Sequence, residues 1–167
     1  MTPTPQLEFS QGLRVVVTQF KSFLSNPENA KLIAPEDFPE LAGLVIEIAV
    51  LDGDVNRLLK YSAEVSVRMG WFFSKYEGIL VHVSRDCTTH FNLMYSKDRE
   101  RGYGEWDAKR RCESDGEYLK AVIHRDRLQV LVNILKMLVE VCRDRLQALQ
   151  QIANNYRADI RDSKATL

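Results

Sequence analysis

All five prolines of this 167-residue chain fall within its first 39 positions, and the 128 residues that follow contain none. Proline removes a backbone donor and clashes with the preceding helical turn, so it punctuates helices and its absence lets them run. A proline-free stretch of that length, rich in Leu, Val, Arg, Glu and Gln, predicts helix over most of its course. The expected fold class is therefore all-α. A long antiparallel helical hairpin over 53–167 follows a small N-terminal helical element over 1–52.

The apolar spacing fills in the elements. Positions 13, 16, 17, 20, 23 and 24 share a helical period, which Ser25-Asn26-Pro27 ends. Residues 34–39 read as a connector, and Pro39 suits the first position of a helix over 40–51. Gly53 and the capping residue Asp54 mark the next break. Then Val55, Leu58, Ser62, Val65, Met69, Phe72, Tyr76, Ile79 and Val83 alternate steps of three and four, continued by Asp86, His90 and Leu93. This heptad-type seam predicts a helix over about 54–95, roughly 60 Å long. Gly70 and Gly78 lie inside it, each costing about 1 kcal/mol against alanine, and suggest a bend or a close helix crossing. The β-branched run at 78–83 leaves a short strand as the alternative there.

Residues 96–116 carry three glycines and a dense mixture of charges, and read as a charged loop or irregular arm. Ser114 or Asp115 can cap the helix after it, with Glu117 as the capping-box acid. That last helix spans about 116–162. Leu128, Leu131, Leu135, Leu138, Cys142, Leu149, Ile152 and Tyr156 form one seam, broken at Arg145. Between 128 and 142 only a narrow stripe is polar: Gln129, Asn133, Lys136 and Glu140. One partner helix cannot bury so wide an apolar face. The expectation is a homo-oligomer, with Leu131, Ile134, Leu135, Leu138 and Cys142 at the subunit contact.

Catalytic and metal chemistry find little support. The chain has no Gly-x-Ser-x-Gly, no phosphate loop and no HExxH. Asp86, Cys87 and His90 share a helical face, with His124 as a further donor, but the set is short of a zinc site and no metal is expected. Cys87, Cys112 and Cys142 are odd in number and widely spaced, so no disulfide framework is expected. Cys112 follows Lys109-Arg110-Arg111, which would lower its pKa, but no base accompanies it. The expectation is a non-enzyme without a cofactor. No apolar run approaches the ~20 residues of a membrane span, and residues 1–5 do not read as a secretory signal. A cytoplasmic location is expected, that of a host cell if the chain is phage-encoded.

The formal net charge is zero, but residues 1–56 carry −5 and residues 57–167 carry +5. Within the basic part, Lys97, Arg99, Arg101, Lys109, Arg110 and Arg111 flank Tyr95, Tyr103 and Trp106. Cations neutralise phosphates and exposed aromatics stack on unpaired bases. Asp98, Glu100, Glu105 and Asp107 oppose them, leaving the 97–111 segment at +2.

Several short segments carry a family resemblance over about residues 57–162. A long helix ends in a tyrosine-containing charged turn, Met94-Tyr95-Ser96-Lys97 followed by Gly102-Tyr103-Gly104. Glu113-Ser114-Asp115-Gly116-Glu117-Tyr118-Leu119 starts the next helix, which contains Ile134-Leu135-Lys136 and closes on Ile152-Ala153-Asn154-Asn155-Tyr156-Arg157. In this arrangement the chain resembles the UvsY-type recombination mediators of T-even and related phages. The family tends to place its DNA-linked lysines and arginines just before the turn. Here that stretch is Asp86-Cys87-Thr88-Thr89-His90-Phe91-Asn92, with Arg85 beside it, so DNA contact is expected instead at Lys97, Arg99, Arg101, Tyr103, Trp106, Lys109, Arg110 and Arg111. The acidic first 50 residues are longer than the family's N-terminal part.

The resemblance implies a homo-oligomeric, non-enzymatic mediator. It would bind single-stranded DNA, loosen bound single-strand-binding protein and help a RecA-like recombinase load. Weak phosphate contacts on each subunit would add by multivalency. The alternative class is a helical protein-interaction module, an adaptor, phage accessory or host-inhibitor protein, that binds no nucleic acid.

Overall fold

The computed structural model describes the backbone of residues 11–50 and 54–165. It contains α1 (Gln11–Leu24), α2 (Pro27–Ala30), α3 (Phe38–Val50), α4 (Val55–Glu100), α5 (Glu105–Glu113) and α6 (Gly116–Ala165), with no strand among the described residues. The fold is all-α, with two long helices packed against each other and small helices before them. Residues 78–83 are helical, so the strand alternative is excluded. Residues 96–116 are not the irregular arm expected from their composition. α4 runs on to Glu100, and α5 occupies 105–113. The proposed signal-free start at 1–5 and the glycine break at Gly53 lie outside the described residues.

Two compact units divide the chain: residues 1–73 with 134–167, and residues 74–133. In the first, α1 contributes Leu13, Val16, Phe20 and Phe23, all buried. α3 contributes Leu41, Leu44, Val45 and Ile48, α4 contributes Leu58, Val65, Met69 and Phe72, and α6 contributes Leu135, Leu138, Cys142 and Leu149. Each large side chain withdrawn from water stabilises by about 1.5–3 kcal/mol. α3 docks on both long helices, and a charged contact holds it near each end. Arg68 on α4 donates Nε and Nη2 to Glu40 Oε1 at 3.0 and 2.8 Å. Arg145 on α6 donates Nη1 to the carbonyl of Ile48 at 2.8 Å. The last carbonyls of a helix lack intrahelical partners, and a guanidinium satisfies one well. The break in the α6 seam at Arg145 is therefore a cap for α3. Burial lowers the pKa of Arg145. Beside it a cavity of about 10 Å³ is lined by Ile48, Ser62, Val65, Cys142 and Arg145. The buried Ser62 hydroxyl has no hydrogen-bond partner among the described residues.

The second unit has a thinner core: Tyr76, Leu80, Cys87, Ala108, Cys112, Leu128, Leu131 and Val132. Here the α4 seam departs from the sequence pattern. The expected step from Tyr76 to Ile79 is a step to Leu80, and the buried line continues through Cys87 to Asp98. Ile79 and Leu93 are exposed, as are Asp86 and His90. Two successive four-residue steps, 72 to 76 to 80, form a stutter that realigns a 3.6-residue helix with its partner. Among the described residues Gly70 and Gly78 serve no close crossing, because a Cβ at either meets nothing within 4 Å.

Candidate nucleic-acid interface

The turn between α4 and α5 explains the tip. Gly102 has φ +88°, in the left-handed region that glycine adopts without strain. Tyr103 N–H donates to the Asp98 carbonyl at 3.2 Å and Gly102 N–H to the Arg99 carbonyl at 3.0 Å. These are the two bonds of a Schellman cap, which ends α4 and turns the chain. Glu105 and Asp107 stand in the first turn of α5, where carboxylates complement the helix dipole. Ala108 and Cys112 form its buried face. Ser114 ends α5, its hydroxyl donating to the Arg111 carbonyl at 3.1 Å. Asp115, and not Ser114, caps α6: its Oδ1 accepts from Tyr118 N–H at 2.8 Å. Glu117 makes no capping box and pairs with Lys120 at 2.9 Å.

Asp98 organises the cations. It is buried, and its carboxylate takes Arg111 Nε at 3.0 Å and Arg101 Nη1 at 3.4 Å. Arg111 also lies over the Tyr103 ring, 4.3 Å from its centroid. The hydrogen bond that Arg111 donates to Asp98, foremost, raises the Arg111 pKa and keeps the guanidinium charged. Arg99 donates Nη1 to the Tyr103 carbonyl at 2.9 Å. Lys109 pairs with Glu113 at 3.8 Å. Arg110 lies 5.4 Å from the Trp106 ring centroid, and that indole is 69% exposed.

The eight residues expected to contact DNA thus divide by role. Arg101, Arg111 and Lys109 spend charge on carboxylates of their own chain. Lys97, Arg99 and Arg110 make no ion pair among the described residues, and all three are exposed. Tyr103 is part of the turn, with Arg111 over its ring. Trp106 does not pack back on the helices and offers an open aromatic surface. Tyr95 stands apart from this group: it stacks on Phe91 at 6.2 Å, and Phe91 meets Tyr118 at 5.4 Å. Sequence reasoning missed Asp98, counting it only as a charge opposing the bases. Its spacing of three residues before Arg101, on a helix, is the sequence signal that points to it.

Leu131, Ile134, Leu135, Leu138 and Cys142, expected at a subunit contact, are buried within the single chain. The excess apolar face of α6 is met by the chain itself, because α3 adds a third helix in the first unit. Cys112 is corrected. It is fully buried, and burial, with Asp98 second, raises its pKa despite the preceding basic run. Cys87 is buried while Asp86 and His90 are exposed, so these three do not converge as ligands. Among the described residues no three His, Cys, Asp or Glu side chains group as a metal site. No helix of the described residues is long and apolar enough to cross a membrane.

No family model matches the chain, and no curated protein or solved structure matches it.

Proposed function

We propose that the protein binds single-stranded DNA through the α4–α5 tip and acts as a non-enzymatic recombination mediator. In that role it helps a RecA-like recombinase load on DNA covered by single-strand-binding protein. The observation that carries the DNA-binding part is the exposed Trp106 indole, with Arg110 beside it and Lys97 and Arg99 unspent on carboxylates. An indole stacks on any base, which gives sequence-tolerant affinity for unpaired strands. The three cations supply phosphate contacts. The mediator part rests on the resemblance in arrangement to the UvsY-type family.

A second reading has its own observation. Leu119, Ile123 and Val130 are exposed on α6 at helical spacing, a surface suited to a protein partner. Titrating Trp106 fluorescence with oligo-dT separates the two, using a Trp71→Phe variant so that Trp106 alone reports. Quenching by single strands, and much less by duplex, supports the DNA reading. An emission unmoved by oligo-dT at low salt favours the protein-interaction module.

A further inference from the structure

Asp98 differs from the surface carboxylates that meet arginine. The Glu40 and Asp126 side chains, partners of Arg68 and Arg125, are 45% and 61% exposed, whereas that of Asp98 is 10% exposed. A carboxylate withdrawn from water needs a close cation, and Arg111 Nε at 3.0 Å supplies one. Arg101 is surplus to that need. Its Nη1 stands 3.4 Å from Oδ1, long for an N–H···O bond, which centres near ~2.9 Å. One negative charge thus faces two positive ones, and the cluster keeps a net positive charge.

Both guanidiniums also face water: Arg111 is half exposed and Arg101 more so. They approach different oxygens of one carboxylate, Oδ1 and Oδ2, and so stand side by side. Arg111 meets Asp98 through Nε, and its Cζ lies over the Tyr103 ring at 4.3 Å, which fixes its plane. A bond through Nε leaves the Nη1 and Nη2 end of the fork, the end that grips a phosphate with two parallel bonds. We infer that Arg101 and Arg111, held side by side by the buried Asp98 carboxylate, form a seat for one phosphate group, with Asp98 as its positioning residue. Where a single strand presents that phosphate, the seat adds a contact to those of Lys97, Arg99 and Arg110, and to that extent the inference rests on the DNA-binding reading. The two arginines are already ordered in the folded chain, so gripping a phosphate costs less side-chain freedom than it does at an unanchored surface arginine. The inference opposes a simple charge count. Asp98→Asn makes the tip more positive, which by charge alone tightens its hold on a polyanion. Loss of the organising carboxylate weakens it instead.

The test uses the full chain and two probes: labelled oligo-dT, followed by anisotropy over a salt series, and inorganic phosphate alone, followed through the arginine Nε–Hε signals in NMR. Arg101→Gln keeps the Asp98–Arg111 contact that anchors α5, so it reports on the seat without unfolding it. It should lower oligo-dT affinity about fivefold near 0.1 M salt and flatten the slope by about 0.7, the weight of one single-strand phosphate contact. Asp98→Asn should also weaken binding, and in that background Arg101→Gln should cost less than half of what it costs in the parent. A merely structural role for Asp98 leaves the cost of Arg101→Gln the same in both backgrounds. Inorganic phosphate should shift the Arg101 and Arg111 signals together in the parent and not in Asp98→Asn. Parental affinity and slope in Arg101→Gln, tighter binding by Asp98→Asn, or equal costs in the two backgrounds overturns the seat and leaves the DNA-binding reading standing. A parent that binds no oligo-dT but answers to phosphate keeps the seat, for free phosphate, and overturns the DNA-binding reading. A parent that answers to neither overturns both.

Discussion

The Asp98 carboxylate and the Arg111 guanidinium, thirteen residues apart, meet at 3.0 Å and fix the last turn of α5 against the end of α4. Asp98 also takes Arg101, so one acidic residue holds two of the six bases of the tip. A segment that reads as a loop of alternating charge is in this way a capped, folded element. Asp98→Asn should lower stability by about 1 kcal/mol, modestly because both arginines are half exposed and recover water. Urea midpoints give the value, and amide exchange should quicken first in α5. Unchanged exchange in α5 would show that Asp98 does not anchor it.

Gly102 and Gly70 should respond oppositely to alanine. Gly102→Ala forces a side chain into φ +88° and should cost about 1 kcal/mol. Gly70→Ala meets nothing within 4 Å and should gain up to about 1 kcal/mol of helix propensity. Thermal midpoints moving in the same direction for both would contradict the assignment of the Schellman cap.

Much of the fold is legible in the sequence because it rests on strong periodic signals. The proline-free span and the α6 seam through Leu149 specify two long helices. Three features are not legible, each for a physical reason. The shift from Ile79 to Leu80 follows from packing against a partner helix, which a single seam does not encode. The role of Arg145 depends on the Ile48 carbonyl 97 residues away. The roles of the tip bases depend on which carboxylates fold back on them, and alternating charge reads alike whether paired or free.

Around Arg145, two substitutions should differ in sign. Arg145→Met leaves the Ile48 carbonyl short of a donor and should destabilise by about 1–3 kcal/mol. Ser62→Ala removes a buried hydroxyl that has no partner among the described residues and should be neutral or stabilising by about 1 kcal/mol. Denaturant titration of both variants checks this. A destabilising Ser62→Ala would point to an ordered water bound in the adjoining cavity.

Stability should also fall in alkali through Cys142. Burial raises its thiol from 9.0 to about 11. Between those values the unfolded chain has lost the proton and the folded chain keeps it, so stability decreases as pH rises. The contribution is fully present below pH 9 and is lost through pH 11, amounting to roughly 2–3 kcal/mol. Under reducing conditions, Cys142→Ala should lose less stability than the parent across that window. Parallel pH profiles for the two proteins would contradict it.

The central claim, that Lys97, Arg99, Arg110 and Trp106 hold single-stranded DNA, is tested most directly by the salt dependence of oligo-dT binding. Arg111→Ala is a poor probe because it also breaks the contact with Asp98. The account predicts that alanine at Lys97, Arg99 and Arg110 together weakens binding on all sequences alike. It should flatten the slope of log affinity against log salt by about 2, at about 0.7 per phosphate contact. Trp106→Ala should weaken binding by about 1–3 kcal/mol and leave the slope nearly unchanged. A parent that binds no oligo-dT even at low salt, or a triple variant with the parent's affinity and slope, would contradict the account.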